Sequence, residues 1–190
     1  MRVLNVGGGV GRALPSIYDG YDQVLLDIDP LVEPDVVCDA RKIRGLRANQ
    51  YDAIHCSHTL EHFYDHEVPG VLGGFRHVLK PKGFAYVAVP NLTALFRDVV
   101  VGCHDIHDTW YKAGPHSFSF HDVLYGWGKQ VASGNEHYCH RTGFTEKSLG
   151  RALRAAGFVG VNTAPDRIGN LFAFAFKTKP AKGQLRRLGL

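Results

Sequence analysis

Gly7, Gly9 and Gly11 close the apolar run Val3-Leu4-Asn5-Val6, and Asp27 and Asp29 close a second one, Val24-Leu25-Leu26. A turn built of glycines lets a ligand lie against the backbone without meeting a Cβ. A carboxylate at the next strand end can accept two hydrogen bonds from a ribose diol. The two together describe a nucleoside-binding edge. A dinucleotide fingerprint, G-x-G-x-x-G, would need a glycine where this chain has Arg12, so NAD and FAD are disfavoured. Asp39 ends a third apolar run, Val36-Val37-Cys38.

Histidine supplies the second chemistry. Of the 11 histidines, His58 follows the run Tyr51 to Ser57, and His121 and His140 accompany Tyr125 in the second half. An imidazole titrating near neutrality can take a proton from a hydroxyl or a protonated amine, so these four are the candidate catalytic side chains. Metal binding is the rival reading for Cys103, His104, His107, Cys139 and His140. Zinc sites use compact ligand pairs at recurring spacings, and Cys103-x-x-x-His107 on no declared turn is a poor match, so no metal is expected. Glu61-His62 reads as a structural contact, and Asp29, before Pro30, as the start of a local turn.

These residues need strands to carry them. Positions 3–6, 23–26, 35–40, 51–58 and 84–89 read as five strands, each β-branched or aliphatic and each stopping at Gly, Asp, His or Asn. The first crossover, residues 12–22, contains Pro15 and Gly20 and has room for only a turn or two. Residues 41–49 read as a surface loop or short helix. Apolar residues at helical spacing predict a helix over 68–79, stopped by Pro81 and Gly83. Thr145 caps another that ends at Gly157. Residues 159–163 and 171–177 then form a closing antiparallel pair. The resulting fold class is α/β, a doubly wound, mostly parallel sheet. Residues 92–141, aromatic and irregular with some helix over 121–133, read as an inserted lid or substrate-binding segment. Residues 178–190 read as a basic, frayed tail.

At 190 residues, with 45% hydrophobic and 21% charged positions, the chain is expected to be one soluble domain. It has no apolar run of membrane-spanning length and no signal peptide, which predicts a cytoplasmic protein that meets no membrane. Four cysteines without C-x-x-C spacing suit reduced thiols. A net charge of +4 suits an anionic ligand and is no nucleic-acid signature.

The ordered motifs resemble those of the class I S-adenosylmethionine-dependent methyltransferases, over residues 4–91 and 142–176. Besides the G-x-G-x-G turn, Tyr51-Asp-Ala-Ile-His-Cys-Ser-His-Thr-Leu-Glu-His-Phe63 is similar to the family's strand-four segment, and Leu79-Lys-Pro-Lys-Gly83 to its "LKPGG" turn. Gly143-Phe-Thr145 with Ala156-Gly-Phe158 resembles its ending. Tyr125-Gly126, Gly134-Asn135 and His140 to Thr145 are most similar to short bacterial members of the type-11-like group. The resemblance implies S-adenosylmethionine as cofactor. It implies that Gly7, Gly9 and Gly11 wrap its amino-acid part, beside Asn5. Asp27, with Ile28, takes the ribose, Asp39 with Ala40 faces the adenine, and Ser57 and His58 lie beside the sulfonium. Asn5 stands where the family has an acid. The expected activity is methyl transfer to a small or carbohydrate-like acceptor, with a homodimer as a possible assembly and RNA bound by the tail as a less favoured substrate. The alternative, suggested by Asn5 and the short crossover, is a catalytically silent binding or scaffold protein on the same fold.

Overall fold

Alternation within each strand decides which residues face which layer, and the sheet can be built from it. The computed structural model describes residues 1–166 and 168–190. Its strands are β1 (Arg2–Val6), β2 (Asp22–Asp27), β3 (Val36–Val37), β4 (Tyr51–Ser57), β5 (Leu79–Pro90), β6 (Thr109–Ala113), β7 (His116–Ser119), β8 (Gly160–Pro165) and β9 (Asn170–Phe176). Seven of them form one sheet in the order β3-β2-β1-β4-β5-β9-β8, and β6 and β7 form a separate hairpin. Strands β1 to β5 pair in parallel, whereas β9 is antiparallel to both β5 and β8. The order reverses between β1 and β4. A ligand crevice opens at such a switch point, outside the carboxyl ends of the strands.

One face of the sheet carries Leu4, Val6, Ile54, Cys56, Ala85, Val87, Leu171 and Ala173. Against it pack the helices α1 (Val68–Val78) and α5 (Glu146–Ala155) and a 3-10 turn over Ala40–Gly45. The α1 residues Val68, Val71, Leu72, Phe75 and Val78 are all buried, as their spacing predicts. Each such side chain contributes about 1.5–3 kcal/mol on leaving water. The opposite face carries Val3, Ala53, Phe84, Phe174 and Phe176, covered by Tyr18 and Leu188. Its cover is thin, because the β1–β2 crossover holds only the 3-10 turn Ser16–Tyr18.

Several expectations are corrected. The third strand is two residues long, because Asp39 turns the chain into the 3-10 helix instead of extending it. The fifth strand begins at Leu79, before Pro81 and Gly83, with a register shift between Tyr51 and Ala53 that absorbs the turn residues. The tail does not fray: α6 (Lys182–Arg187) docks, with Leu185 and Leu188 against the aromatic face and Arg187 donating to Tyr21 Oη at 3.2 Å. Within residues 92–141, an unexpected helix, α2 (Leu92–Val101), starts at Asn91, whose side chain accepts from the Thr93 and Ala94 amides. With α3 (Phe120–Tyr125) it builds a small separate core of Leu95, Phe120 and Val123. α4 (Gly128–Ala132) follows. Among the described residues no helix is long and apolar enough to cross a membrane.

Candidate active site

The tips of β1, β2 and β4 bring most of the predicted residues to one edge. Gly7 and Gly9 have φ of +68° and +58°, the left-handed region that favours glycine. A Cβ on Gly7 would lie 2.5 Å from Thr59 Oγ1, so β4's exit loop is packed directly on the turn. At Gly9 and Gly11 a Cβ would meet nothing within 4 Å, so this part of the turn borders open space. Asn5, only 1% exposed, lies beneath Gly8, and its Nδ2 has no hydrogen-bond partner among the described residues. Arg12, also left-handed at φ +46°, ties the turn to the segment after β2 through Asp35 at 3.1 Å and the Glu33 carbonyl. No helix follows the turn directly, so its backbone amides are not reinforced by a helix N-terminus.

Asp27, at the tip of β2, accepts from the Gly9 amide at 3.2 Å through Oδ2 and from the Asp29 amide at 3.0 Å through Oδ1. Those bonds orient the carboxylate and leave each oxygen with spare accepting capacity. Asp29 accepts from the Leu31 amide at 2.9 Å and caps the turn Pro30–Val32, so its carboxylate serves the local turn. Ile28, Asp29 and Pro30 form one wall of a cleft of about 550 Å³ whose other wall is residues 133–137 of the insertion. Asp39 is less available. It caps the next 3-10 turn through the Arg41 amide, and the Arg41 guanidinium grips it at 2.6–3.0 Å, which holds its pKa below the usual carboxylate range. Ala40 behind it is buried.

At the tip of β4, Ser57 is half-buried and His58 adopts φ +50° while its amide donates to the Ala88 carbonyl at 2.9 Å. The next turn, Leu60–His62, places Glu61 in the interior at 1% exposure. His58 Nδ1 lies 3.3 Å from Glu61 Oε1, ion-pair distance without hydrogen-bond alignment, and neither carboxylate oxygen has a hydrogen-bond partner among the described residues. Burial pushes Glu61 up, but the contact with His58 and the charges of His58, His62 and His140 outweigh it and keep the group ionised. Burial also works against the charged form of His58, and Glu61 reverses that, raising its pKa. His140 goes the other way, because burial lowers its pKa by more than Glu61 raises it.

Of the four candidate catalytic side chains, the structure gathers His58 and His140 around Glu61. His121 and Tyr125 form a different group. They lie on α3, where the His121 ring sits 5.0 Å from His107 and 4.9 Å from Tyr125, centroid to centroid. The link between the groups is backbone: His140 Nδ1 lies 2.9 Å from the Val123 carbonyl, and the His140 amide donates to the Tyr125 carbonyl. Glu61 and His62 are the members that sequence reasoning assigned to structure alone. The signal was present in His58-x-x-Glu61-His62, whose i,i+3 spacing lets one turn aim two imidazoles at one carboxylate.

Comparison with known proteins follows the same lines. A family model described as a methyltransferase domain matches residues 1–163. No curated protein matches the sequence significantly. Among solved structures, an S-adenosylmethionine-dependent methyltransferase from Archaeoglobus fulgidus is 15% identical with a TM-score of 0.58, over 92% of this chain and 85% of that one. The 1,6-didemethyltoxoflavin-N1-methyltransferase of Burkholderia thailandensis, solved with 1,6-didemethyltoxoflavin and S-adenosylhomocysteine, is 21% identical with a TM-score of 0.56. That similarity covers 93% of this chain and 71% of the other. At such identities the likeness is one of fold.

Proposed function

The chain belongs to the methyltransferase-domain family, and from that premise we propose that it binds S-adenosylmethionine across the tips of β1, β2 and β4 and transfers its methyl group to a small-molecule or carbohydrate-like acceptor. The observation that carries this reading is Asp27, oriented by the Gly9 and Asp29 amides beside a turn that borders open space. A ribose diol needs such an acceptor pair. Gly7, Gly9 and Gly11 would lie along the amino-acid part of the cofactor, with the unpaired Asn5 Nδ2 beneath the turn as a donor in reserve. Ile28 would cover one side of the base in the cleft of about 550 Å³. Asp39 would reach the adenine only by sharing its oxygens with Arg41, so Ala40's backbone is the better contact there. Ser57 would border the sulfonium.

S-adenosylmethionine, when bound, supplies an already electrophilic methyl group. The protein's remaining work is to align the acceptor, exclude water and remove a proton where the acceptor carries one. His58 suits the proton transfer, because Glu61 raises its basicity and lies on the Nδ1 side of the ring, which leaves Nε2 to take the proton from a hydroxyl or ammonium. The insertion over residues 92–141, with His121 and Tyr125 on α3, is the lid over the acceptor. The aromatic content of the insertion supports a small acceptor. A nucleic acid held by the tail is less favoured, since Lys177 already donates to Asn49 and the Leu79 carbonyl and Arg187 is bonded to Tyr21.

Isothermal titration with S-adenosylhomocysteine tests this. One site per chain is expected. Asp27→Ala should weaken binding at least tenfold, about 1.4 kcal/mol; absence of both heat and thermal stabilisation in the wild type would reject the proposal. The second reading, a silent binding protein, draws on the missing helix after the glycine turn and on Arg41's hold on Asp39. Release of S-adenosylhomocysteine in the presence of any acceptor would exclude it.

A further inference from the structure

Glu61, His62 and His140 offer ligand atoms that all lie within 4.8 Å of one another. We propose that these three residues bind a divalent transition-metal ion, with zinc the best match, at the junction between the β4 exit turn and the end of the insertion.

Two observations beyond proximity support a built site. Glu61 is 1% exposed and, among the described residues, both of its carboxylate oxygens are without a hydrogen-bond partner, an expensive arrangement for an anion in the interior unless a cation completes it. Each imidazole is held by a backbone carbonyl through Nδ1, His62 on Cys139 and His140 on Val123, both at 2.9 Å. With Nδ1 donating, Nε2 carries the lone pair and the ring orientation is fixed, which is the outer-shell device of histidine–metal sites. His58 Nδ1 lies 3.3 Å from Oε1 without hydrogen-bond alignment, so both carboxylate oxygens are open to an ion.

Two imidazoles and one carboxylate form a three-ligand set that suits zinc and leaves a fourth position for water or another oxygen ligand. Zinc sites need ligand distances of about 2.0–2.2 Å, so the three groups would draw inward by about an ångström. The Arg141 and Thr142 amides already donate to the Glu61 carbonyl and pin the two segments together. An ion here would fasten the insertion to the sheet. The sequence hid this site because its ligands are split between positions 61–62 and 140, and the conspicuous Cys103 and His107 take no part among the described residues.

The test uses the full chain stripped with a chelator and titrated with zinc against a chromophoric competitor, with cobalt as a spectroscopic substitute. One zinc per chain is expected, with a raised melting temperature and visible d–d bands from cobalt. Glu61→Gln and His140→Ala should each weaken binding about a hundredfold, while His116→Ala, on an exposed hairpin residue, should leave it unchanged. Should either variant fail to fold, cobalt bands and zinc stoichiometry in the wild type decide by themselves. No stoichiometric uptake, or uptake unaffected by both substitutions, overturns the site. The inference stands apart from the cofactor reading. S-adenosylhomocysteine binding measured on the stripped protein reports on that reading alone.

Discussion

His55 is buried between the rings of Tyr18 and Tyr86, with Nδ1 unpartnered among the described residues, and burial pushes its pKa down to about 4 from the ordinary 6.5. The unfolded chain binds a proton there between those values and the folded chain does not. Stability from this group is therefore complete above pH 6.5 and is lost as pH falls towards 4, by about 3 kcal/mol in full. Denaturant titrations at pH 7 and pH 4.5 should show His55→Phe losing less stability on acidification than the wild type. Gly7 makes a second residue-scale case. Gly7→Ala must hold φ +68° and push Thr59 from its bonds to the Val6 and Ser57 carbonyls. The backbone part alone costs about 1–2 kcal/mol, and S-adenosylhomocysteine affinity should fall with it in a titration. At this scale the sequence was informative wherever a residue's own chemistry chose its place: the glycines, Asp27 and the local turn at Asp29. It assigned Asp39 to the adenine without showing that Arg41, two residues away, grips that carboxylate, because Arg41 looks like a surface charge until the turn closes.

Among the elements, α5 was the most legible, because its signals are local. Thr145 accepts from the Ser148 amide, and the Ser148 hydroxyl answers on the Thr145 amide, a reciprocal cap. Thr145→Ala should cost about 1 kcal/mol, read as a shift in the urea midpoint without a change in slope. α6 was illegible for the opposite reason. Its charged composition reads as solvated, and its stability comes from Leu185 and Leu188 meeting a sheet face assembled from residues as far apart in the chain as Val3, Ala53, Phe84 and Phe176. Leu188→Ala should destabilise by about 2 kcal/mol, at the low end for a buried leucine because the site lies at the edge. The early start of β5 was hidden by Pro81 and Gly83, which break a strand in general but not where a register shift accommodates them. α2 is held by the Asn91 cap and by packing on α3.

Over the whole molecule, the alternation of strands and helices was enough to give the parallel sheet and its antiparallel close, since period and length are written in the chain. What the insertion covers was not, because it depends on contacts between segments 80 or more residues apart, such as the turn at Glu61 with Arg141 and Thr142. That junction places residues 133–137 opposite the tip of β2. The proposed cofactor would therefore touch both the sheet and the insertion, and binding it should slow amide hydrogen exchange at residues 133–137 together with residues 7–11. The most direct measurement is a crystal structure with S-adenosylhomocysteine. The ribose hydroxyls should lie on Asp27 and the base beside Ile28. An empty cleft, or a nucleoside bound elsewhere with Asp27 still engaged only by Gly9 and Asp29, would contradict a cofactor site at this edge of the sheet.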